Sequence, residues 1–115
     1  TDVVSDRSSL STVVYQGYAR GVNIEDVRSV CSFATHSAKP DLVLLLDAPL
    51  QKLSSRRQER GVNDRFEELG DDFHQKVRDG YIAEASLLNY PVVDASPSVN
   101  EVFEQIWQKV QPLIN

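Results

Sequence analysis

The chain has little cysteine, proline or glycine and contains no long apolar run. Its 115 residues include one cysteine, five prolines and five glycines. The lone cysteine, Cys31, excludes an internal disulfide and favours a reducing compartment. No apolar stretch approaches the ~20 residues that a membrane-spanning helix needs, and no signal peptide opens the chain. The sequence therefore predicts a cytoplasmic protein with no membrane partner. His36 and His74 have no second ligand at metal-binding spacing, so no metal site built from protein ligands is predicted.

Charge is unevenly distributed along the sequence. Seventeen acidic against 12 basic residues give a net charge of −5, which argues against general binding to nucleic acid. Four of the basic residues fall within ten positions: Arg56, Arg57, Arg60 and Arg65. This cluster leaves room for a local anion site in an acidic protein. The length allows one domain with a modest core.

Apolar runs and segments of helical period alternate along the chain. Strands are predicted at residues 1–5, 41–47 and 90–94, and helices at residues 9–18, 24–36, 49–59, 65–89 and 99–113. The unbroken apolar run at residues 42–46 is typical of a strand covered on both faces. Gly70 and Gly80 weaken the pattern of the longest helix. Strands and helices in alternation predict an α/β fold with a parallel sheet.

An aspartate and an arginine, Asp6 and Arg7, follow the first predicted strand. Open α/β sheets bind ligands at the carboxyl ends of their strands. A guanidinium matches the geometry of a phosphoryl group, and the hydroxyls and the amide of the next helix suit a base or a sugar. An ordinary surface ion pair has the same sequence, so the pair alone does not decide between the two interpretations.

Four patterns occur in a fixed order along the chain. They are Asp6-Arg7-x-x-x-Ser11-x-x-x-Tyr15-Gln16, Lys39-Pro40-Asp41-Leu42, Arg56-x-x-x-Arg60-Gly61-x-x-Asp64-Arg65-x-Glu67 and Val92-Val93-Asp94-Ala95-Ser96. Together they resemble the thymidylate kinase family over essentially the whole chain. The resemblance implies an α/β, P-loop kinase-like three-layer fold with a parallel sheet. It also implies ATP-dependent phosphorylation of dTMP to dTDP in dTTP synthesis, with ATP as co-substrate, Mg²⁺ as cofactor and a homodimeric assembly.

The phosphate-binding loop of P-loop kinases has no counterpart in this sequence. The pattern G-x-x-x-x-G-K-[ST] does not occur in the 115 residues. The resemblance therefore covers only the C-terminal part of a single nucleoside monophosphate kinase domain, with the N-terminal strands and the P-loop missing. In the family fold the P-loop strand lies between the first and second strands predicted here, so two strand edges are expected to lack a partner. The chain alone is expected to be inactive.

The resemblance assigns roles to the residues that match the first pattern. Asp6 is implied to be catalytic, near the transferred phosphoryl group and its Mg²⁺, and Arg7 is implied to bind the dTMP phosphate. The other implied dTMP-binding residues follow on the next helix: Ser11, Thr12, Tyr15 and Gln16. Tyr15 would close against the deoxyribose and disfavour a 2′-hydroxyl. The alternatives are a core aromatic residue for Tyr15 and hydroxyls bonded to their own backbone for Ser11 and Thr12.

The arginine cluster resembles the LID, at about residues 56–67, which is the family's mobile loop that closes over ATP. Arg56 and Arg60 are implied to be catalytic, since cations there stabilise the developing charge of the transferred group. The implied ATP-binding residues are Arg57, Arg65 and Ser96. A basic helix end explains the cluster without a ligand, and an Asx turn followed by a helix cap explains residues 94–98 equally well.

Two other functions are compatible with the same patterns. One is a related nucleoside monophosphate kinase with a different base preference, because Ser8 replaces a usual aromatic residue and Ser11-Thr12 leave the base contact open. The other is a non-catalytic remnant that binds a nucleotide or a partner through the same surface.

Overall fold

The computed structural model describes residues 3–36, 38–52, 55 and 70–114. Its elements, in chain order, are α1 (Ser9–Thr12), a π-helical segment (Val13–Ala19), α2 (Ile24–Ala34), β1 (Leu45–Asp47), α3 (Gly70–Leu88), β2 (Val92–Asp94) and α4 (Val99–Ile114). Residues 50–52 and 55 are also helical, and the rest of the helix predicted at residues 49–59 is either not helical or outside the described residues. Residues 65–69 of the predicted long helix lie outside them too.

The two strands pair in parallel, which confirms the predicted α/β arrangement. Leu45 lies opposite Val92, and Asp47 lies opposite Asp94. The ladder continues past the strands, because the Ala95 N–H donates to the Asp47 carbonyl at 2.8 Å. Helix α3 packs on β1, and α4 packs on β2. Both strands are shorter than predicted, with three residues each.

The strand predicted at residues 1–5 is wrong for the part that the structure describes. Residues 3–5 belong to no strand. Val3 and Val4 are 86% and 97% exposed. A β-strand exists only when its N–H and C=O groups pair with a neighbour, and no described strand lies beside these residues. The neighbour that the resemblance implies, the P-loop strand, is not part of this sequence.

The helix predicted at residues 9–18 changes from α to π geometry at Val13. The wider turn shows at its end, where the Arg20 N–H donates to the Tyr15 carbonyl at 3.2 Å. Val14 and Gly17 of this segment are buried. Helices of π type are rare and occur frequently at functional sites. Helical period in the sequence predicted the element but not this geometry.

Helix α3 supports the π-helical segment at Gly80. A Cβ atom added to Gly80 would lie 2.8 Å from the Cβ of Tyr18 and 3.2 Å from a methyl carbon of Val14. Only glycine lets the two backbones approach this closely. Val77 and Ala85 of α3 are buried on either side of the contact. The glycine that weakens the helical pattern in the sequence is therefore required by packing.

The ends of the helices have local causes. Helix α3 stops before Asn89, which has a left-handed φ of 59°. The Tyr90 N–H then donates to the Ala85 carbonyl at 2.8 Å, as in a Schellman motif. Helix α4 begins with Ser98 as its N-cap, because the Glu101 N–H donates to the Ser98 hydroxyl at 3.3 Å; that hydroxyl donates to the Glu101 carboxylate at 3.1 Å.

Asp94 ends β2 and forms the turn that leads to α4. Its Oδ1 atom accepts hydrogen bonds from the Ser96 hydroxyl and, at 3.0 Å, from the Ser96 N–H. Both hydrogen bonds lower the pKa of Asp94 below its usual range. The bond from the hydroxyl has the larger effect, and the bond from the N–H has the smaller one.

We expect Gly80→Ala to lower the free energy of unfolding by roughly 1–3 kcal/mol, the usual cost of overpacking. Alanine is the better helix former by about 1 kcal/mol, but the new methyl group would press on the Tyr18 side chain and Val14. Urea unfolding of the variant checks this. The matched control is Ser86→Ala at an exposed position of the same helix, which is expected to change stability by less than about 0.5 kcal/mol. Unchanged or higher stability of Gly80→Ala would show that α3 does not approach the segment so closely.

We expect Ser96→Ala to raise the pKa of Asp94 toward its usual range, because the hydroxyl donor is lost while the N–H donor remains. A lowered carboxyl pKa contributes stability above the unfolded-state value near about pH 4, and this contribution is lost as the pH falls through the folded-state value. The variant should therefore lose less stability on acidification. The measurement is the NMR titration of the Asp94 carboxyl carbon, with Ser98→Ala as the control. The same midpoint in wild type and Ser96→Ala would rule out the hydroxyl hydrogen bond as a cause of the lowered pKa.

Candidate active site

The predicted phosphate-binding pair lies beside the π-helical segment. Asp6 and Arg7 are both exposed. The guanidinium carbon of Arg7 lies 5.8 Å from the centre of the Tyr15 ring. At this distance the cation interacts with the face of the ring. The structure thus brings together Arg7 and Tyr15, two residues that sequence analysis assigned to the same nucleotide.

Tyr15 belongs to an aromatic cluster that joins the π-helical segment to α3. Its ring centre lies 6.1 Å from that of Phe73 and 6.4 Å from that of Tyr81. The guanidinium carbon of Arg20 lies 5.6 Å from the Phe73 ring centre. Aromatic rings in contact with two guanidinium groups suit a ligand that has both an aromatic and an anionic part.

Ser11 contacts the same cluster. Its hydroxyl lies 2.7 Å from the hydroxyl of Tyr81, and either group can be the donor. Thr12 and Gln16 are exposed on the same stretch of chain. Tyr81 and Phe73 fall within the helix predicted at residues 65–89, and no role in the site was predicted for either. Their spacing in the sequence is consistent with one face of a helix, but it does not identify the partner of that face.

The remaining predicted site residues are placed only in part. Arg56, Arg57, Arg60 and Arg65 lie outside the described residues. Ser96 is half-buried and donates to Asp94 in the turn after β2, which is the turn that the ligand-free interpretation predicted.

An ion pair fixes α3 to the carboxyl end of the sheet. The Nε atom of Arg78 lies 2.9 Å from Oδ1 of Asp47, and Nη2 lies 3.1 Å from Oδ2, so the contact is bidentate. The hydrogen bond to Asp47 raises the pKa of Arg78 above its usual value. This end of an open α/β sheet is where ligands bind. The pair was not predicted, because its members are 31 positions apart.

A second charged contact lies inside the helical layer. The carboxylate of Glu84 on α3 is 1% exposed. One of its oxygens accepts from the Tyr18 hydroxyl at 2.8 Å and from the guanidinium of Arg28 on α2. Arg28 also pairs with Glu25, which is exposed.

The Glu84 contacts shift the pKa values of both donors. Burial and the hydrogen bond to Glu84 raise the pKa of Tyr18. Burial disfavours the charged form of Arg28, but the contacts with Glu84 and Glu25 outweigh it and the pKa rises. The sequence contains one indication that Glu84 is buried. Glu84 is seven positions after Val77, so the two lie on the same face of α3, and Val77 is apolar.

The described part of the chain contains neither a cluster of metal-binding side chains nor a helix that could span a membrane. No group of three or more His, Cys, Asp and Glu side chains is placed to hold a metal ion among residues 3–36, 38–52, 55 and 70–114. Among those same residues, no helix is both long enough and apolar enough to cross a membrane.

Comparison with known proteins gives one consistent result. The family model described as thymidylate kinase matches residues 1–106. The thymidylate kinase of Carboxydothermus hydrogenoformans is 40% identical over 104 residues, which are 90% of this chain and 51% of the relative. That of Nitratidesulfovibrio vulgaris is 37% identical over 122 residues, covering 98% of this chain and 57% of the relative. The thymidylate kinase of Marinomonas sp. is 39% identical over 115 residues, which cover 98% of this chain and 54% of the relative.

The chain spans about half the length of the curated relatives it matches. The match nevertheless includes the Asp-Arg pair, both strands and the first half of α4. It confirms the resemblance that the four ordered patterns indicated. The chain belongs to the thymidylate kinase family.

Proposed function

We propose that the complete enzyme to which this chain belongs transfers the γ-phosphoryl group of ATP to dTMP, giving dTDP for dTTP synthesis. The observation that carries the proposal is the similarity to thymidylate kinases at 37–40% identity over 90–98% of the chain. The site supports it because a cation and an aromatic surface, the two features that bind a nucleotide, lie side by side at Arg7 and Tyr15.

In this proposal the dTMP site lies on the surface formed by α1, the π-helical segment and α3. Arg7 binds the phosphate of dTMP, and Tyr15 packs against the deoxyribose. Thr12 and Gln16 are exposed on the same stretch of chain and can contact the base. Ser11 supports this surface indirectly, because its hydroxyl forms a hydrogen bond with the hydroxyl of Tyr81.

The cofactor in the proposal is Mg²⁺, with ATP as co-substrate. Mg²⁺ is usually held by one or two carboxylates together with substrate phosphates and water. Asp6 fits this role because its carboxylate is exposed beside Arg7. Asp47 is committed to Arg78, and Asp94 to Ser96, so neither fits as well. When bound, the ion neutralises charge on the phosphates.

The reaction needs positioning more than acid–base chemistry. A phosphate monoester has its second pKa near about 6, so the attacking phosphate of dTMP is largely dianionic at neutral pH and needs no general base. Arg7 holds this phosphate in line through a planar fork of donors. We propose that Arg56 and Arg60 stabilise the transferred group, that Arg57, Arg65 and Ser96 bind ATP, and that the enzyme is a cytoplasmic homodimer; the support for these assignments is the family resemblance.

Initial rates of the complete enzyme with ATP and a panel of dTMP, dUMP, dCMP and AMP test the proposal. We expect the highest kcat/KM with dTMP. A clear preference for another monophosphate would indicate a related kinase instead. Binding of nucleotides without turnover of any of them would indicate a non-catalytic remnant.

We expect Arg7→Ala to lower kcat/KM for dTMP by about 100-fold, or about 2.7 kcal/mol, because a charge-assisted contact with the phosphate is lost. Steady-state kinetics of the complete enzyme measure it. The control is Lys109→Ala, which removes an exposed cation from α4 and is expected to change little. If kcat/KM for Arg7→Ala matches that of the control, Arg7 does not bind the dTMP phosphate and is an ordinary surface residue.

A further inference from the structure

We propose that Glu84 is a positioning residue that, together with Tyr18 and Arg28, sets where the π-helical segment presents Tyr15 to the nucleotide. The inference rests on the proposed function, because it assigns a substrate effect to residues that are not among the proposed dTMP contacts.

One carboxylate oxygen joins three helical elements. Tyr18 comes from the π-helical segment, Arg28 from α2 and Glu84 from α3, and both donors reach the same oxygen of Glu84. The carboxylate is 1% exposed. A buried charge is stable only when charged or hydrogen-bonding partners compensate for its lost hydration. The three side chains are therefore held together, and so are the three elements that carry them.

The contact lies next to the proposed nucleotide surface. Tyr18 is three residues after Tyr15 on the π-helical segment, and Glu84 is three residues after Tyr81 on α3. The Ser11 to Tyr81 hydrogen bond holds α1, which precedes Tyr15, and the Tyr18 to Glu84 hydrogen bond holds the π-helical segment after Tyr15. Tyr15 is thus held between two contacts with the same helix.

Hydrogen bonds are needed here because packing alone does not set the direction of the segment. Apolar contact is non-directional, so it does not by itself fix the orientation of the Tyr18 ring. At Gly80 the Cβ and Cγ atoms of Tyr18 lie close to α3, and glycine offers no side chain of its own to hold them. The hydrogen bond from the Tyr18 hydroxyl to Glu84 fixes the position of the outer end of the Tyr18 ring. The guanidinium of Arg28 donates to the same oxygen of Glu84 and holds that oxygen in place.

The test uses Tyr18→Phe and Glu84→Gln in the complete enzyme. Tyr18→Phe keeps the ring and removes only the hydroxyl, and Glu84→Gln keeps the shape and removes the charge. We expect each to raise KM for dTMP about fivefold, the scale of one hydrogen bond, while kcat and KM for ATP change less than about twofold. The double variant should not exceed the larger single effect, since both changes act on one contact: Tyr18→Phe removes its donor, and Glu84→Gln replaces its charged acceptor by a neutral one.

The matched control is Glu25→Gln, which removes the other carboxylate that pairs with Arg28 but is 78% exposed. It is expected to leave KM for dTMP unchanged. Thermal unfolding of every variant runs beside the kinetics. Variants that unfold at lower temperature with the wild-type KM for dTMP would show a purely structural role and overturn the proposal, as would equal losses toward dTMP and ATP.

A variant that does not fold and a wild-type enzyme that does not phosphorylate dTMP are separate outcomes. If Glu84→Gln does not fold, Tyr18→Phe decides, because its ring still fills the space over Gly80. If the wild-type enzyme does not phosphorylate dTMP, the proposed function fails and the positioning role fails with it. A wild-type enzyme that turns over dTMP while both variants keep its KM overturns the positioning role alone.

Discussion

Helix α3 approaches the π-helical segment closely at Gly80, and this approach underlies the contacts around the candidate site. Because Gly80 has no side chain, Tyr18 and Val14 lie against the backbone of α3. This proximity brings Tyr81 within hydrogen-bonding distance of Ser11, and Glu84 within reach of Tyr18. The aromatic cluster around Tyr15 forms at the same junction. A bulkier residue at position 80 would separate all of these contacts at once.

The sequence predicted the elements whose formation depends on local pattern. Continuous apolar residues predicted the parallel strands β1 and β2, and helical period predicted α2, α3 and α4. The strand at residues 1–5 was predicted on the same grounds and is not formed in the described residues, because pairing depends on a neighbour and not on composition. The π geometry that begins at Val13 was not predicted; this segment packs against α3, and no local pattern in the sequence records that contact.

The site was predictable where its residues are close in sequence. Arg7 and Tyr15 are eight positions apart, and one short stretch of helix brings them together. The contacts across long distances in the chain were not predicted: Ser11 with Tyr81, Tyr18 with Glu84, and Asp47 with Arg78. Helical spacing gives the face on which such residues lie but not the element that the face meets. The LID arginines stay predictions from the family pattern, since they lie outside the described residues.

The central claim is that dTMP binds where Arg7 and the aromatic cluster meet, on a surface supported by α3. A crystal structure of the complete enzyme with dTMP tests it most directly. The account predicts the phosphate within about 3 Å of the Arg7 guanidinium nitrogens, at hydrogen-bonding distance, and the deoxyribose against the ring of Tyr15. A nucleotide bound elsewhere, in contact with neither Arg7 nor Tyr15, would contradict it.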